Sequence, residues 1–157
     1  MFIDNISFAT KQQKTSGKLQ IKQCNRVIDL LDELSGEINY QLSGFLNERN
    51  QPTLKISICG IIATLCQICL KNFEINIDSN RLVQIFKNEA DLDAALFGED
   101  AIIEDGILAD TEFDVVKFIE DELIMTLPLA PKHACCATSS YQDTTNMPFA
   151  MLKKMIN

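Results

Sequence analysis

The chain has 157 residues, of which 46% are hydrophobic and 23% charged, and we expect one globular domain over 1–157. It holds no run of about 18 apolar residues and begins without a basic and apolar leader, so we expect a cytoplasmic protein without membrane contact. The formal net charge of −8 argues against a protein that coats nucleic acid.

The N-terminal part of the chain predicts two short strands and a helix. Residues 2–8 and 15–21 are expected to be strands joined by a polar, basic loop. Apolar residues then recur at the spacing of an amphipathic helix, and Gly36 follows as its stop. The residues with this spacing are Val27, Leu30, Leu31 and Leu34.

The same part of the chain carries the best candidate surface for RNA. Five cations lie between positions 11 and 26, and the candidate contacts are Lys14, Lys18 and Lys22. Aromatic side chains that could stack on bases are nearly missing from this stretch. A solvated basic loop is the alternative interpretation, so we expect RNA contact here to be weak.

An antiparallel meander is predicted for the middle of the chain, because apolar and polar residues alternate as in half-buried strands. The predicted strands are 38–46, 54–65, 73–77 and 82–86. The composition of 47–52 is typical of a turn. This arrangement puts Cys66 and Cys69 at the tip of a hairpin.

An acidic segment follows the meander. Residues 89–122 carry thirteen Asp and Glu against Lys117 alone, and 88–110 is expected to be a crossing loop. Such acids are typical of a solvated surface or of a docking face for a basic partner. A Mg²⁺ site for a nuclease is the alternative, but no His or Lys lies among the acids of residues 100–114. The candidate partner contacts are Asp100, Glu104, Asp105 and Asp110.

The C-terminal part predicts a helix that Thr111 caps and that ends before Pro128. The side chains expected on its core face are Phe113, Val116, Ile119 and Leu123. Residues 129–157 are expected to be a partly irregular tail with a short helix at 149–155. Together these elements predict an α+β fold. Its antiparallel sheet is expected to be strongly curved, towards a barrel, with an N-terminal amphipathic helix and one or two C-terminal helices.

The spacing of cysteine and histidine predicts a zinc site. Cys66 and Cys69 form a CxxC pair, and His133 and Cys136 form an HxxC pair. Where a fold joins the two pairs, they supply the Cys₃His ligands of tetrahedral zinc. Two alternatives stay open. One is a hairpin with unliganded thiols. The other is a redox CxxC, which the flanking strands disfavour because no helix start lowers a thiol pKa.

The other reactive residues give little support for catalysis. His133 is the sole histidine, and no nucleophile with an orienting carboxylate accompanies it. The glycines stand singly, so a phosphate-binding loop is not expected. Cys24 and Cys59 are interpreted as buried small apolar side chains. We therefore expect a protein that is not an enzyme.

Three blocks of the sequence resemble the YceD family of bacterial proteins. Residues 65–70 (LCQICL) are similar to its Cys-Gln-Arg-Cys-Leu hairpin, with Ile68 in place of the arginine. Residues 118–133 are similar to its "EDEL…LP…PxH" block. Residues 146–154 are similar to its "NPFAvLkkL" tail, with Met147 inserted. The blocks follow the family order, and the resemblance spans nearly the whole chain.

The resemblance implies a large ribosomal RNA subunit accumulation protein. It would be a ribosome biogenesis factor that supports synthesis, processing or stability of 23S rRNA and large-subunit assembly, by binding rather than catalysis. The expected partners are a large-subunit ribosomal protein and an assembly or rRNA-processing factor, with direct contact to 23S rRNA left open. The rival interpretations are a CxxC redox protein and a zinc-dependent RNA-processing hydrolase. The hydrolase would use Cys66, Cys69, His133 and Cys136.

Overall fold

The computed structural model describes residues 1–28, 35–97 and 105–137. Its strands are β1 (Phe2–Ile3), β2 (Lys14–Gln20), β3 (Ser35–Leu46), β4 (Pro52–Leu65), β5 (Asn72–Phe86), β6 (Gly106–Leu108) and β7 (Phe113–Asp114). Its helices are α1 (Asn5–Thr10), α2 (Asn25–Ile28), α3 (Glu89–Phe97), α4 (Val115–Thr126) and α5 (Ala134–Ala137), with a 3₁₀ turn at Ile21–Gln23.

The main sheet is open and mixed. Its strand order is β2-β3-β4-β5-β6, with antiparallel pairs from β2 to β5 and a parallel pair between β5 and β6. The predicted α+β class is confirmed, but the expected antiparallel, strongly curved sheet is wrong. After β5 the chain passes through α3 and lays β6 beside β5 in the same direction, which requires a crossover instead of a hairpin. Strands β1 and β7 form a separate two-stranded sheet.

The alternation of the long strands gives the main sheet two different faces. The core face is buried and packs against side chains of α1, α2 and α4. Its fully buried side chains include Ile38, Leu42, Ile56, Ile58 and Ile62. We call the opposite side the outer face. From β2 to β5 it carries Lys14, Ser16, Lys18, Asn39, Gln41, Ser43, Lys55, Ser57, Cys59, Asp78, Asn80 and Leu82.

Two short helices replace elements that the sequence predicted differently. The strand expected at 2–8 stops at Ile3, because the Asp4 carboxylate accepts the Ser7 N–H at 3.0 Å and starts α1. In the expected loop 88–110, the Asn88 side chain accepts the Asp91 N–H at 2.8 Å at the start of α3. Helix α3 buries none of its side chains, so it leaves no apolar periodicity in the sequence.

The predicted C-terminal helix is confirmed as α4, with a later start. The cap is Asp114, not Thr111, because its carboxylate accepts the Val116 N–H at 3.1 Å. Val116 and Phe113 are only partly buried. The chain leaves the helix before Pro128, as predicted. The buried side chains of α4 are Val115, Ile119, Glu120, Glu122 and Leu123.

Parts of two predictions lie outside the described residues. Of the helix expected over 27–34, only the beginning is described, as α2. The tail from 138 onwards, with the helix expected at 149–155, also lies outside them. Within the described ranges, no helix has both the length and the apolar character needed to cross a bilayer.

Candidate metal centre

The CxxC pair lies at the tip of the β4–β5 hairpin, as predicted. The turn closes when Cys66 N–H donates to Lys71 O at 2.9 Å and Leu70 N–H donates to Cys66 O at 2.9 Å. Leu70 has a φ of 55°, a left-handed conformation that lets the chain reverse at this point. The tight turn brings Cys66 and Cys69 to the same side of the tip.

The HxxC pair reaches the hairpin tip through the loop that follows α4. Gln67 N–H donates to Pro131 O at 2.9 Å and fixes this loop against the turn. The His133 ring packs on Phe73, with a distance of 4.7 Å between ring centroids. Cys136 N–H donates to His133 O at 3.0 Å, and this short turn puts both side chains on one side. The fold therefore joins two pairs that are far apart in sequence.

The four predicted ligands form one cluster. Their ligand atoms all lie within 4.8 Å of one another, and Cys69 Sγ is 3.4 Å from His133 Nδ1. Cys66 is buried, and the other three side chains are partly exposed. A Zn–S bond of about 2.3 Å places the sulfurs of a tetrahedral site about 3.8 Å apart. Small shifts of the side chains would therefore suffice to hold one zinc ion.

The pKa values of two thiols in the cluster are shifted in opposite directions. Burial opposes ionisation of Cys66, but the N–H groups of Cys69 and His133 and the His133 ring outweigh it and lower the pKa of this thiol to about 5. Burial, followed by contact with the neighbouring thiols, raises the pKa of Cys136 to about 12. The lowered pKa favours the thiolate form of Cys66, which is the form that binds metal, whereas Cys136 has to lose a proton on binding.

The cysteines outside the cluster have different surroundings. Cys24 is buried, as predicted, and its thiol donates to Gln20 O at 3.8 Å. Burial, with a smaller contribution from Glu120, raises its pKa to about 11. Cys59 is exposed on the outer face, so the prediction of a buried thiol is wrong there. Alternation along β4 puts Cys59 opposite the core positions of Ile58 and its neighbours.

The acidic partner candidates divide into two groups. Asp105 pairs with Arg81, with 3.0 Å between Oδ2 and Nε. An Asp110 oxygen accepts the Glu112 N–H at 2.8 Å. Both carboxylates therefore hold the local fold. Asp100 and Glu104 lie outside the described residues.

The lysine candidates are also separated by the fold. Lys14 and Lys18 lie on the outer face of β2, whereas Lys22 belongs to the 3₁₀ turn beyond it. Lys18 Nζ is 2.7 Å from Glu37 Oε1, and this hydrogen bond raises the pKa of Lys18. Lys55 on β4 was not among the predicted contacts, because only the strand register places it beside Ser43 and in one row with Lys14.

A buried carboxylate on α4 was also missed. Glu122 is 6% exposed and accepts hydrogen bonds from the Ser79 hydroxyl at 2.5 Å and from Arg81 Nη1 at 3.0 Å. Arg81 therefore bridges Glu122 to Asp105. The sequence signal for this buried carboxylate was an acid on the helix face that packs against β5.

Comparison with protein-family models, curated proteins and solved structures finds no match to this chain.

Proposed function

We propose that this protein is a cytoplasmic, non-enzymatic ribosome biogenesis factor whose fold is held together by one structural zinc ion. The observation that carries the proposal is the Cys66, Cys69, His133 and Cys136 cluster, with all four ligand atoms within 4.8 Å. Four protein ligands fill the tetrahedral positions of zinc. A catalytic zinc needs an open position for water, so this ligand set supports a structural role.

The role in 23S rRNA accumulation and large-subunit assembly is supported by the resemblance to the YceD family. Two of the three similar blocks, 65–70 and 118–133, contain three of the four ligands. These two blocks also contact each other, because Gln67 N–H donates to Pro131 O at 2.9 Å. Most residues of the candidate metal centre thus lie in the blocks that resemble the family, and this supports a resemblance of the whole module over chance similarity of short motifs.

The acidic segment 89–122 supports a basic protein as partner, such as a large-subunit ribosomal protein or an rRNA-processing factor. Glu89, Asp91 and Asp93 are exposed on α3, where an approaching cationic surface can reach them. Complementary charge steers association and raises its rate. In this mode the metal centre stabilises the domain, and the acidic segment makes the contact.

Depletion of the protein in growing cells tests the proposed function. We expect less 23S than 16S rRNA and fewer complete large subunits in sucrose gradients. Expression of the wild-type chain should restore the ratio. Cys69→Ser should restore it poorly, because the metal centre is broken. An unchanged ratio of the subunits after depletion would contradict the proposal.

A further inference from the structure

The outer face of the sheet presents rows of side chains that run across the strands. The first row holds Lys14, Ser43, Lys55 and Leu82, which the register places side by side on β2, β3, β4 and β5. This row has two cations and no acid. Leu82 is 56% exposed, so an apolar surface lies directly beside Lys55.

The second row is uncharged and rich in hydrogen-bonding groups. It holds Ser16, Gln41, Ser57 and Asn80 in the same register. The Ser57 hydroxyl donates to Asn80 Oδ1 at 2.6 Å, which orients the Asn80 amide with its NH₂ group directed away from Ser57. Each amide in the row offers both donors and acceptors to a ligand.

A shallow depression crosses the second and third rows. Its volume is about 380 Å³, and its lining includes Ser16, Lys18, Asn39, Gln41, Ser57 and Cys59. Acids enter only further along the strands, with Asp78 in the third row and Glu37, which pairs with Lys18, in the fourth. Lys14 and Lys55 therefore lie on one side of a polar depression, within which Lys18 is paired with Glu37.

We infer that the outer face binds a short stretch of single-stranded nucleic acid. Lys14 and Lys55 contact phosphates, and the amides of Gln41, Asn39 and Asn80 contact base edges in the depression. Base edges require donors and acceptors together, which side-chain amides supply. Leu82 offers an apolar surface to the face of a base. That the nucleic acid is RNA rests on the proposed function.

An acidic peptide fits this face less well. Its carboxylates would need cations along the whole path, but beyond the first row the cation Lys18 is paired with Glu37, and Asp78 lies in the same row as Lys18. A nucleic-acid strand needs charge only where its phosphates lie and polar groups where its bases lie. The arrangement of one cationic row beside one amide row has this pattern.

The test measures binding of the 157-residue chain, purified without chelator, to a fluorescent single-stranded RNA of about ten nucleotides and mixed sequence. We expect Lys14→Gln with Lys55→Gln to raise Kd about tenfold and to reduce the slope of log Kd against log salt by about 1.4. The control pair, Lys87→Gln with Lys117→Gln, removes the same charge from two exposed lysines outside the outer face and should change Kd less than about twofold.

A second variant separates base contact from charge. Gln41→Ala removes an amide and no charge, so we expect weaker binding with an unchanged salt slope. Single-stranded DNA and duplex RNA of the same length are the other probes. If single-stranded DNA and duplex RNA both bind more weakly than single-stranded RNA does, the result supports recognition of single-stranded RNA.

Several results would overturn the inference. They are no binding by the wild-type chain at low salt, equal loss in the control pair, and stronger competition by polyglutamate than by RNA. Failure of this inference is distinct from failure of the proposed function. Suppose that depletion lowers 23S rRNA and that expression of the Lys14→Gln, Lys55→Gln variant fully restores it. The nucleic-acid site is then ruled out, and the assembly role stands. Unchanged 23S rRNA on depletion would remove the assembly role and leave binding in vitro unaffected.

Discussion

Cys69 is the candidate ligand whose replacement tests the proposed metal centre most directly, because it is partly exposed and its Sγ lies 3.4 Å from His133 Nδ1. The protein purified without chelator should contain about one zinc per chain. Cys69→Ser should lose this zinc and melt roughly 10 °C lower, since the free energy of metal binding contributes to folding.

The control for this prediction is Cys59→Ser, which changes an exposed cysteine outside the cluster. It should keep both the zinc content and the melting temperature of the wild-type chain. Elemental analysis and a thermal melt in the presence and absence of a chelator measure both quantities. A metal-free wild-type protein whose melting temperature equals that of Cys69→Ser would rule out the zinc site.

Glu122 gives a second prediction for a single residue. Glu122→Gln keeps the size of the side chain but removes the charge that Arg81 faces at 3.0 Å inside the fold. We expect the free energy of unfolding to fall by about 1–3 kcal/mol. The neighbouring exposed pair of Asp121 with Arg26 provides the control. Asp121→Asn should cost less than about 1 kcal/mol, and equal losses in urea denaturation would contradict a special role for Glu122.

The packing of α1 on β3 depends on Gly44. A Cβ at this position would lie 2.5 Å from Ala9 Cα and 2.7 Å from Phe8 O, which are backbone atoms of the helix. Gly44→Ala should therefore push α1 away and cost about 1–3 kcal/mol in the free energy of unfolding.

Gly17→Ala is the matched control. The three atoms nearest to its Cβ would all belong to the side chain of Tyr40, the closest at 2.8 Å. That ring can move, so we expect a smaller loss of stability than for Gly44→Ala. Urea denaturation measures both variants, and we expect the lower midpoint for Gly44→Ala. A larger effect for Gly17→Ala would contradict the close approach of α1 to the sheet.

The sequence predicts an element well only where burial of one face leaves a periodic pattern of apolar residues. Strands β3, β4 and β5 alternate because one face is buried, and α4 buries Ile119 and Leu123 at helical spacing. Helix α3 buries nothing, and β6 has only three residues, so neither leaves a period to detect. The parallel pairing of β5 with β6 could not be predicted, because it depends on the crossover that runs from β5 through α3 to β6.

The candidate site was predictable for a different reason. CxxC and HxxC are local patterns whose residue types have few other uses in combination. The contact between the two pairs depends on the hydrogen bond from Gln67 N–H to Pro131 O, and no spacing in the sequence predicts this bond. Lys55 was missed for the same kind of reason, because only strand register puts it near Lys14.

At the scale of the whole molecule, the uneven charge predicts how a basic partner is captured. The net charge is −8, and 89–122 carries most of the acids. Asp100→Asn with Glu104→Gln should lower capture several-fold, mainly through slower association. Asp105 and Asp110 are left unchanged because they hold the local fold.

The control for this charge prediction removes two acids from a different region. Glu74→Gln with Asp78→Asn changes the net charge equally on strand β5. Association rates from surface plasmon resonance, measured at low and physiological salt, distinguish local from overall charge. Equal slowing by both pairs of substitutions would show that only net charge matters and that 89–122 is not the contact.

The order in which the chain is synthesised bears on when this domain can finish folding. Phe2 and Ile3 find their strand partners only at Phe113 and Asp114, and the hairpin tip receives its last ligands from His133 and Cys136. A ribosome must therefore translate past residue 136 before the metal centre can close. Until then Cys66 and Cys69 lack the other two members of the cluster. Completion of the domain is thus a late event in its own synthesis, because its first strand and its cysteine hairpin both wait for residues near the end of the described chain.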